Sequence, residues 1–175
     1  MKKNIYLTGF MGAGKSRIGR ELSRYLNCAH VDLDDEIVKS AGKSIKAIFQ
    51  SEGEAYFRLL ERRSLHNTRF LTTSIISTGG GAPCFFNNME WINQNGLAIF
   101  LDASNEVLVH RLWKGRQKRP LIMSVGKKQL PHFIEQKIAE RRPYYELAGV
   151  NYKIDDPDKD GAKELYQQLN YIIGH

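Results

Sequence analysis

At 175 residues, 42% hydrophobic and with a formal net charge of +7, the chain suits one compact domain with a sizeable core and leaves little room for a second. No apolar stretch approaches the length of a membrane span, and Met1-Lys2-Lys3-Asn4 runs straight into an apolar segment, so neither a membrane partner nor a signal peptide is expected. A basic chain can serve nucleic acid or small anions; here Lys and Arg are scattered apart from one patch over Lys114 to Arg119, without the interleaved aromatics of an RNA-binding strand, which favours small anions.

In chain order, Asn4–Thr8 reads as a first strand. It runs into Gly9 to Ser16, GFMGAGKS, which fits the phosphate-loop pattern G-x-x-x-x-G-K-[ST]. The position matters as much as the spelling: a strand ends, a glycine-rich turn follows and a helix begins, so backbone N–H groups converge on a phosphate. Gly12, Ala13 and Gly14 supply that cradle, Lys15 a point charge for the β- and γ-phosphates, and Ser16 a hydroxyl for Mg²⁺. A nucleoside triphosphate is the expected ligand. The helix Lys15–Leu26 then presents Ile18, Leu22 and Leu26 on one face.

His30–Asp34 reads as a second strand ending in carboxylates, and alternation along it would point Asp32 and Asp34 to one side. Asp35–Ser40 and Ile45–Thr68 read as helical, broken around Gly42-Lys43 and again near Gly53. Ser74–Thr78 is a third strand entering Gly79-Gly80-Gly81, where three glycines in a row suggest close approach of the backbone to a ligand. A helix through Met89 and Trp91, a fourth strand Leu97–Leu101 and a helix Asn105–Trp113 follow. Lys114–Lys128 is polar, basic and poorly periodic. Pro131 suits the first turn of a helix reaching Arg142, Val150–Ile154 is a fifth strand, and Ala162–Ile173 a closing helix. Strand and helix alternate as a parallel α/β sheet requires. Cys28 and Cys84 lack CxxC spacing and suit small core positions in a reduced cytosolic compartment.

A phosphate loop needs a second magnesium ligand, commonly an aspartate at a strand end. Asp102 closes the most hydrophobic candidate strand but leads into a helix start, where a capping role is expected. Asp32 is therefore assigned to the metal, through water, because Mg²⁺ tends to keep several of its waters.

Five motifs together, VDLDDEI, GEAYFRLLE (Gly53 to Glu61), STGGGA (Ser77 to Ala82), KRPL (Lys118 to Leu121) and RRPYYE (Arg141 to Glu146), occur in the order seen in shikimate kinases, and the chain resembles that family over nearly its whole length. The resemblance implies an α/β three-layer sandwich around a five-stranded parallel sheet of the nucleoside-monophosphate-kinase type. One domain, 1–175, would carry substrate-binding helices over residues 34–61 and a lid over 114–128. It also implies ATP-dependent phosphorylation of shikimate to shikimate 3-phosphate with Mg²⁺, by a cytoplasmic monomer acting on small molecules. Carried over by motif, Asp34 contacts substrate hydroxyls, Arg58 and Arg141 bind the substrate carboxylate, and Gly79, Gly80 and Gly81 meet the substrate through backbone amides. Phe57 would pack against the ring, and Arg119 would reach the nucleotide phosphates. The catalytic set is Lys15, Asp34 and Arg119.

Some positions admit a plainer reading. Arg58 stands four after Glu54 and three before Glu61, a helix ion-pair pattern, while Arg141 and Arg142 could complement a helix dipole. Arg17 stands where the family commonly has a small hydroxyl residue and leans to solvent or to the nucleotide. Asp156 falls in the adenine loop by position, and a further lid contact could come from Arg116 or Lys114. Two rivals stay open: a kinase of another small polyhydroxy acid, gluconate-like, and a non-catalytic nucleotide-binding module.

Overall fold

The computed structural model describes residues 4–115, 122–156 and 161–173. Five strands, β1 (Asn4–Thr8), β2 (Ala29–Asp32), β3 (Ser74–Ser77), β4 (Gly96–Ala103) and β5 (Val150–Ile154), form one parallel sheet in the order β2-β3-β1-β4-β5. Strand β1 is central, with Ile5 opposite Ile75 of β3 on one side and Leu97 of β4 on the other. The helices are α1 (Lys15–Tyr25), α2 (Leu33–Ala41), α3 (Ile45–Asn67), α4 (Asn88–Asn95), α5 (Asn105–Lys114), α6 (Leu130–Tyr145) and α7 (Gly161–Ile173).

Strand alternation sorts the core into two faces. Ile5, Leu7, Ile75 and Ile99 pack with Ile18 and Leu22 of α1, Leu108 of α5, Ile134 of α6 and Leu169 of α7. From the opposite face Tyr6, Ile76 and Ala98 meet Leu33 of α2, Leu65 of α3 and Met89 and Ile92 of α4. Each such fully buried aliphatic side chain stabilises the fold by roughly 1.5–3 kcal/mol. The two faces and the sheet between them are the three layers that the motif order implied. Among the described residues no helix is long and apolar enough to cross a membrane.

Two expectations need correction, the end of the second strand and the role of Asp102. Strand β2 stops at Asp32, and Asp34 lies in the first turn of α2 rather than on the strand. The Asp32 side chain accepts the Asp34 N–H at 3.1 Å as a helix N-cap, and Asp34, Asp35 and Glu36 favour the positive end of the helix dipole. Asp32 and Asp34 are therefore neighbours through a cap, not through alternation. Asp102, expected to cap a helix, does not: β4 continues to Ala103 in register with Ile154, and Ser104 caps α5 by accepting the Val107 N–H. Asp102 instead pairs with Arg142 at 2.8 Å. The break expected near Gly53 is a kink inside α3, where Gly53 takes φ 81°. Nothing would lie within 4 Å of a side chain there, so backbone conformation rather than space calls for glycine. Within the stretch 114–128 expected as a lid, Lys114 closes α5 and Ile122 is fully buried in the core, while 116–121 lie outside the described residues.

Candidate active site

The loop after β1 has the torsions its glycines predict: φ is 131° at Gly9, 84° at Gly12 and 101° at Gly14, the last being the residue from which α1 springs. The Ile18 N–H returns to the Gly14 carbonyl at 2.8 Å, which starts the helix at once. Lys15 lies folded along the loop, donating to the carbonyls of Gly9 at 2.7 Å and Phe10 at 2.9 Å. Those contacts brace the loop and hold the ammonium at its mouth. Gly12, Gly14, Lys15, Ser16, Arg17, Asp32 and Asp34 all line one pocket of about 480 Å³, and Ala13, fully buried, supports it from behind.

Ser16 donates to the Asp32 carboxylate at 2.5 Å. A hydroxyl and a carboxylate side by side in the phosphate pocket are hard oxygen donors that suit Mg²⁺, which takes few protein ligands and completes its shell with phosphate and water. Among the described residues no cluster of three or more His, Cys, Asp or Glu could hold a metal by itself.

A second pocket, of about 370 Å³, is lined by Asp34, Phe57, Arg58, Glu61, Gly79, Gly80, Gly81 and Arg141. Four separate stretches of chain supply them: the first turn of α2, the second half of α3, the turn after β3, and α6. Arg58 is only 5% exposed, so a surface ion pair does not describe it. Glu61, itself buried, accepts from Nη1 at 2.5 Å, Glu54 from Nη2 at 2.8 Å, and Phe85 stacks over the guanidinium at 4.4 Å. Burial alone would weaken the Arg58 charge; Glu61 and Glu54 outweigh it and hold the guanidinium protonated. The ion-pair pattern and the pocket position are both present, because the pairs orient the fork that faces the pocket. Phe57 lies against Phe49 at 4.7 Å beneath it. Arg141 lies over the Phe10 ring at 5.5 Å.

The triple glycine has a cause that sequence reading missed. None of the three takes a left-handed φ. A Cβ on Gly79 would strike Glu61, one on Gly81 would strike the Arg58 guanidinium, and one on Gly80 would come to 3.0 Å from the Met11 nitrogen. The close approach is made by this chain's own buried charges and by the phosphate loop.

Asp34, Gly80 and Met11 line both pockets. The Asp34 carboxyl has one buried oxygen with no hydrogen-bond partner, and burial, reinforced by Asp32, pushes it up to about 6 against the pull of Lys15. Burial likewise pushes Glu61 up to about 7, with Arg58 opposing and Asp34 adding to the rise. Of the two, Asp34 stands where the pockets meet, and a carboxyl poised near neutrality there is suited to handling a proton.

Arg119 and Arg116 lie outside the described residues, and of the adenine-loop residues Asp155 and Asp156 are exposed. Arg111 of α5 was overlooked: it lines the phosphate pocket and donates to the carbonyls of Gly12 and Ala13 at 3.4 and 3.1 Å. Its only signal is a cation set between buried Leu108 and Leu112 on a helix whose other charged residues, Glu106 and Lys114, are exposed. Arg142 is a structural partner of Asp102 and Glu146, which leaves Arg141 as the arginine of that pair on the pocket.

A phosphate cradle on the central strand of a five-stranded parallel sheet, opening onto a pocket with two arginines and a carboxylate, defines a phosphate-loop small-molecule kinase of the nucleoside-monophosphate-kinase type. The family model for shikimate kinase matches residues 11–171. A shikimate kinase of Bacteroides thetaiotaomicron is 41% identical over 170 residues, 97% of each chain, and one of Bacteroides fragilis 40% identical over 97% of this chain and 95% of its own. The crystal structure of shikimate kinase from Bacteroides thetaiotaomicron superposes with a TM-score of 0.91 at 37% identity, covering 99% of both chains. That of the Acinetobacter baumannii shikimate kinase in complex with shikimate gives 0.88 at 31% identity, covering 98% and 93%. The chain belongs to the shikimate kinase family, and with it to the ATP-dependent kinases of aromatic amino acid biosynthesis.

Proposed function

We propose that this chain transfers the γ-phosphoryl group of ATP to the 3-hydroxyl of shikimate, with the phosphate pocket holding ATP and the second pocket holding the acid. The observation that carries the reading is the position of Asp34 on the wall common to both pockets. Arg58 and Arg141 clamp the acceptor carboxylate, for which a guanidinium supplies the planar fork. Phe57 supports the ring, and the Gly79–Gly81 backbone borders its hydroxyls. Asp34 orients the attacking hydroxyl and accepts its proton as the new oxygen–phosphorus bond forms and the bond to the ADP leaving group breaks. Lys15 leaves the loop carbonyls for the β- and γ-phosphates, where its charge offsets the charge developing on the transferred group. Arg17 and Arg111 extend the positive wall of the same pocket, and the motif assigns Arg119 the role of reaching the nucleotide phosphates. Ser16 and Asp32 would hold Mg²⁺, which when bound neutralises phosphate charge. One kinase domain, 1–175, accommodates all of these parts.

A coupled assay offering ATP with shikimate, quinate and gluconate in parallel tests the assignment. Turnover is expected with shikimate and at most traces with the others; a preference for gluconate would replace the acceptor while keeping the phosphate chemistry.

A further inference from the structure

Tyr145 stands one helical turn past Arg141 and closes α6. It is fully buried, yet its hydroxyl does not serve the core: it donates to the Gly80 carbonyl at 2.5 Å, across 65 positions of sequence. The ring is held in turn by stacking on Phe100 of β4 at 5.1 Å. Phe100 is in register with Thr8, the last residue of β1 before the phosphate loop. A Cβ on Gly80 would come to 3.0 Å from the Met11 nitrogen, so the turn lies close to the phosphate loop. A single hydroxyl thus ties the turn between the two pockets to the strand pair that carries the phosphate loop.

We propose that Tyr145 is a positioning residue of the transfer step, fixing through the Gly80 carbonyl the wall across which acceptor and γ-phosphate meet. The inference rests on the two pockets being those of acceptor and nucleotide. Burial pushes the phenol well above its ordinary value, against the pull of Arg141, so the hydroxyl remains a donor throughout the working range. A misplacement of about 1 Å at a transfer site costs on the order of 100-fold in rate, so even a partial release of this turn is measurable. The Ala82 N–H closes the turn onto the Gly79 carbonyl at 3.2 Å and reports on that release without any turnover.

Tyr145→Phe keeps the buried ring and removes the hydroxyl. Its kcat at saturating ATP and shikimate should fall by about tenfold, KM for ATP should stay within about twofold, and exchange of the Ala82 amide should quicken by about tenfold. Leu169→Ala, on the core-facing side of α7, serves as a control: it should lower the thermal midpoint while leaving kcat and Ala82 exchange at wild-type values. A Tyr145→Phe enzyme that loses thermal stability but keeps both kcat and Ala82 protection would overturn the proposal. So would a Leu169→Ala enzyme that reproduces both losses. Absence of shikimate turnover in the wild type would sink the acceptor reading alone, and unchanged Ala82 exchange would still reject the role of Tyr145.

Discussion

The phosphate pocket and the acceptor pocket share a wall but are built in different ways. The first is built around one continuous stretch, Gly9 to Ser16, shaped by backbone torsions and with Lys15 braced by carbonyls of the same loop, and Asp32, Asp34 and Arg111 complete its wall. The second gathers side chains from α2, α3, the glycine turn and α6, and buries charge: Arg58 and Glu61 are 5% and 1% exposed. A backbone cradle exploits the peptide groups a fold must have in any case. A charged pocket must desolvate its own groups, and Asp34 and Glu61 register that cost as raised carboxyl values. Damage to the first region should therefore act on phosphoryl transfer with little effect on stability. In the second region function and stability should oppose each other.

The largest effect is expected in the cradle. Lys15→Ala should lower kcat by about 10³-fold or more and weaken ATP binding, with the fold intact, because a charge facing the transferring group is lost. Near-wild-type kcat in this variant would remove the phosphate-loop half of the comparison.

Next comes the shared wall. Asp34→Asn should lower kcat by about 10²- to 10⁴-fold as proton acceptance is lost. Asp32→Asn should instead raise the Mg²⁺ requirement, with excess metal restoring part of the rate. Identical behaviour of the two variants in a magnesium titration would break their division of labour. Stability should move the other way. The Asp34 carboxyl is raised from 3.8 to about 6 in the fold, so its protonated form favours the folded state. That contribution is fully present below the unfolded value and is lost as pH rises through the folded one. In EDTA, where no cation offsets the charge, Asp34→Asn should therefore be more stable than wild type at pH 8 by on the order of 2–3 kcal/mol, and no more stable near pH 4. A variant destabilised at pH 8 would show that the buried carboxylate is better compensated than its surroundings imply.

A smaller effect should come from the glycine turn. Gly81→Ala places a methyl against the Arg58 guanidinium, which Glu54 and Glu61 prevent from yielding freely. KM for shikimate should rise about tenfold while KM for ATP is unchanged. Equal changes in both constants would mean that the turn supports the fold rather than the acceptor.

The two regions also differ in how far the sequence reveals them. The phosphate loop is legible because its motif is local: glycine torsions, helix start and lysine fall within a few residues. The strands were legible too: β1, β3 and β4 carry apolar runs, and the more polar β2 and β5 fall between helical segments as the α/β alternation requires. The strand limit at Asp32 was not, since Asp32-Leu33-Asp34 alternates like a strand while Asp32 caps a helix whose first turn is acidic. Asp102 was misread because pairing of Ala103 with Ile154, which extends β4, is a long-range event. The acceptor residues came from motif resemblance, but their supports did not. Glu61 under Gly79, Phe85 over Arg58, Arg111 on the phosphate loop and Tyr145 on Gly80 depend on packing between distant segments.

Selection of a carboxylate by the buried Arg58 and the half-buried Arg141, while Asp34 presents a ring hydroxyl to ATP, is what the two pockets are proposed to achieve together. Its most direct test compares kcat/KM for shikimate and for its methyl ester, in wild type and in Arg58→Lys. The ester removes the partner of two guanidinium groups, so wild type should use it at least about 10³-fold less efficiently than the acid. Arg58→Lys should narrow that preference, chiefly through a higher KM for the acid, because lysine keeps the charge but loses the fork. Equal rates on ester and acid in the wild type would contradict the carboxylate clamp and the acceptor assignment with it.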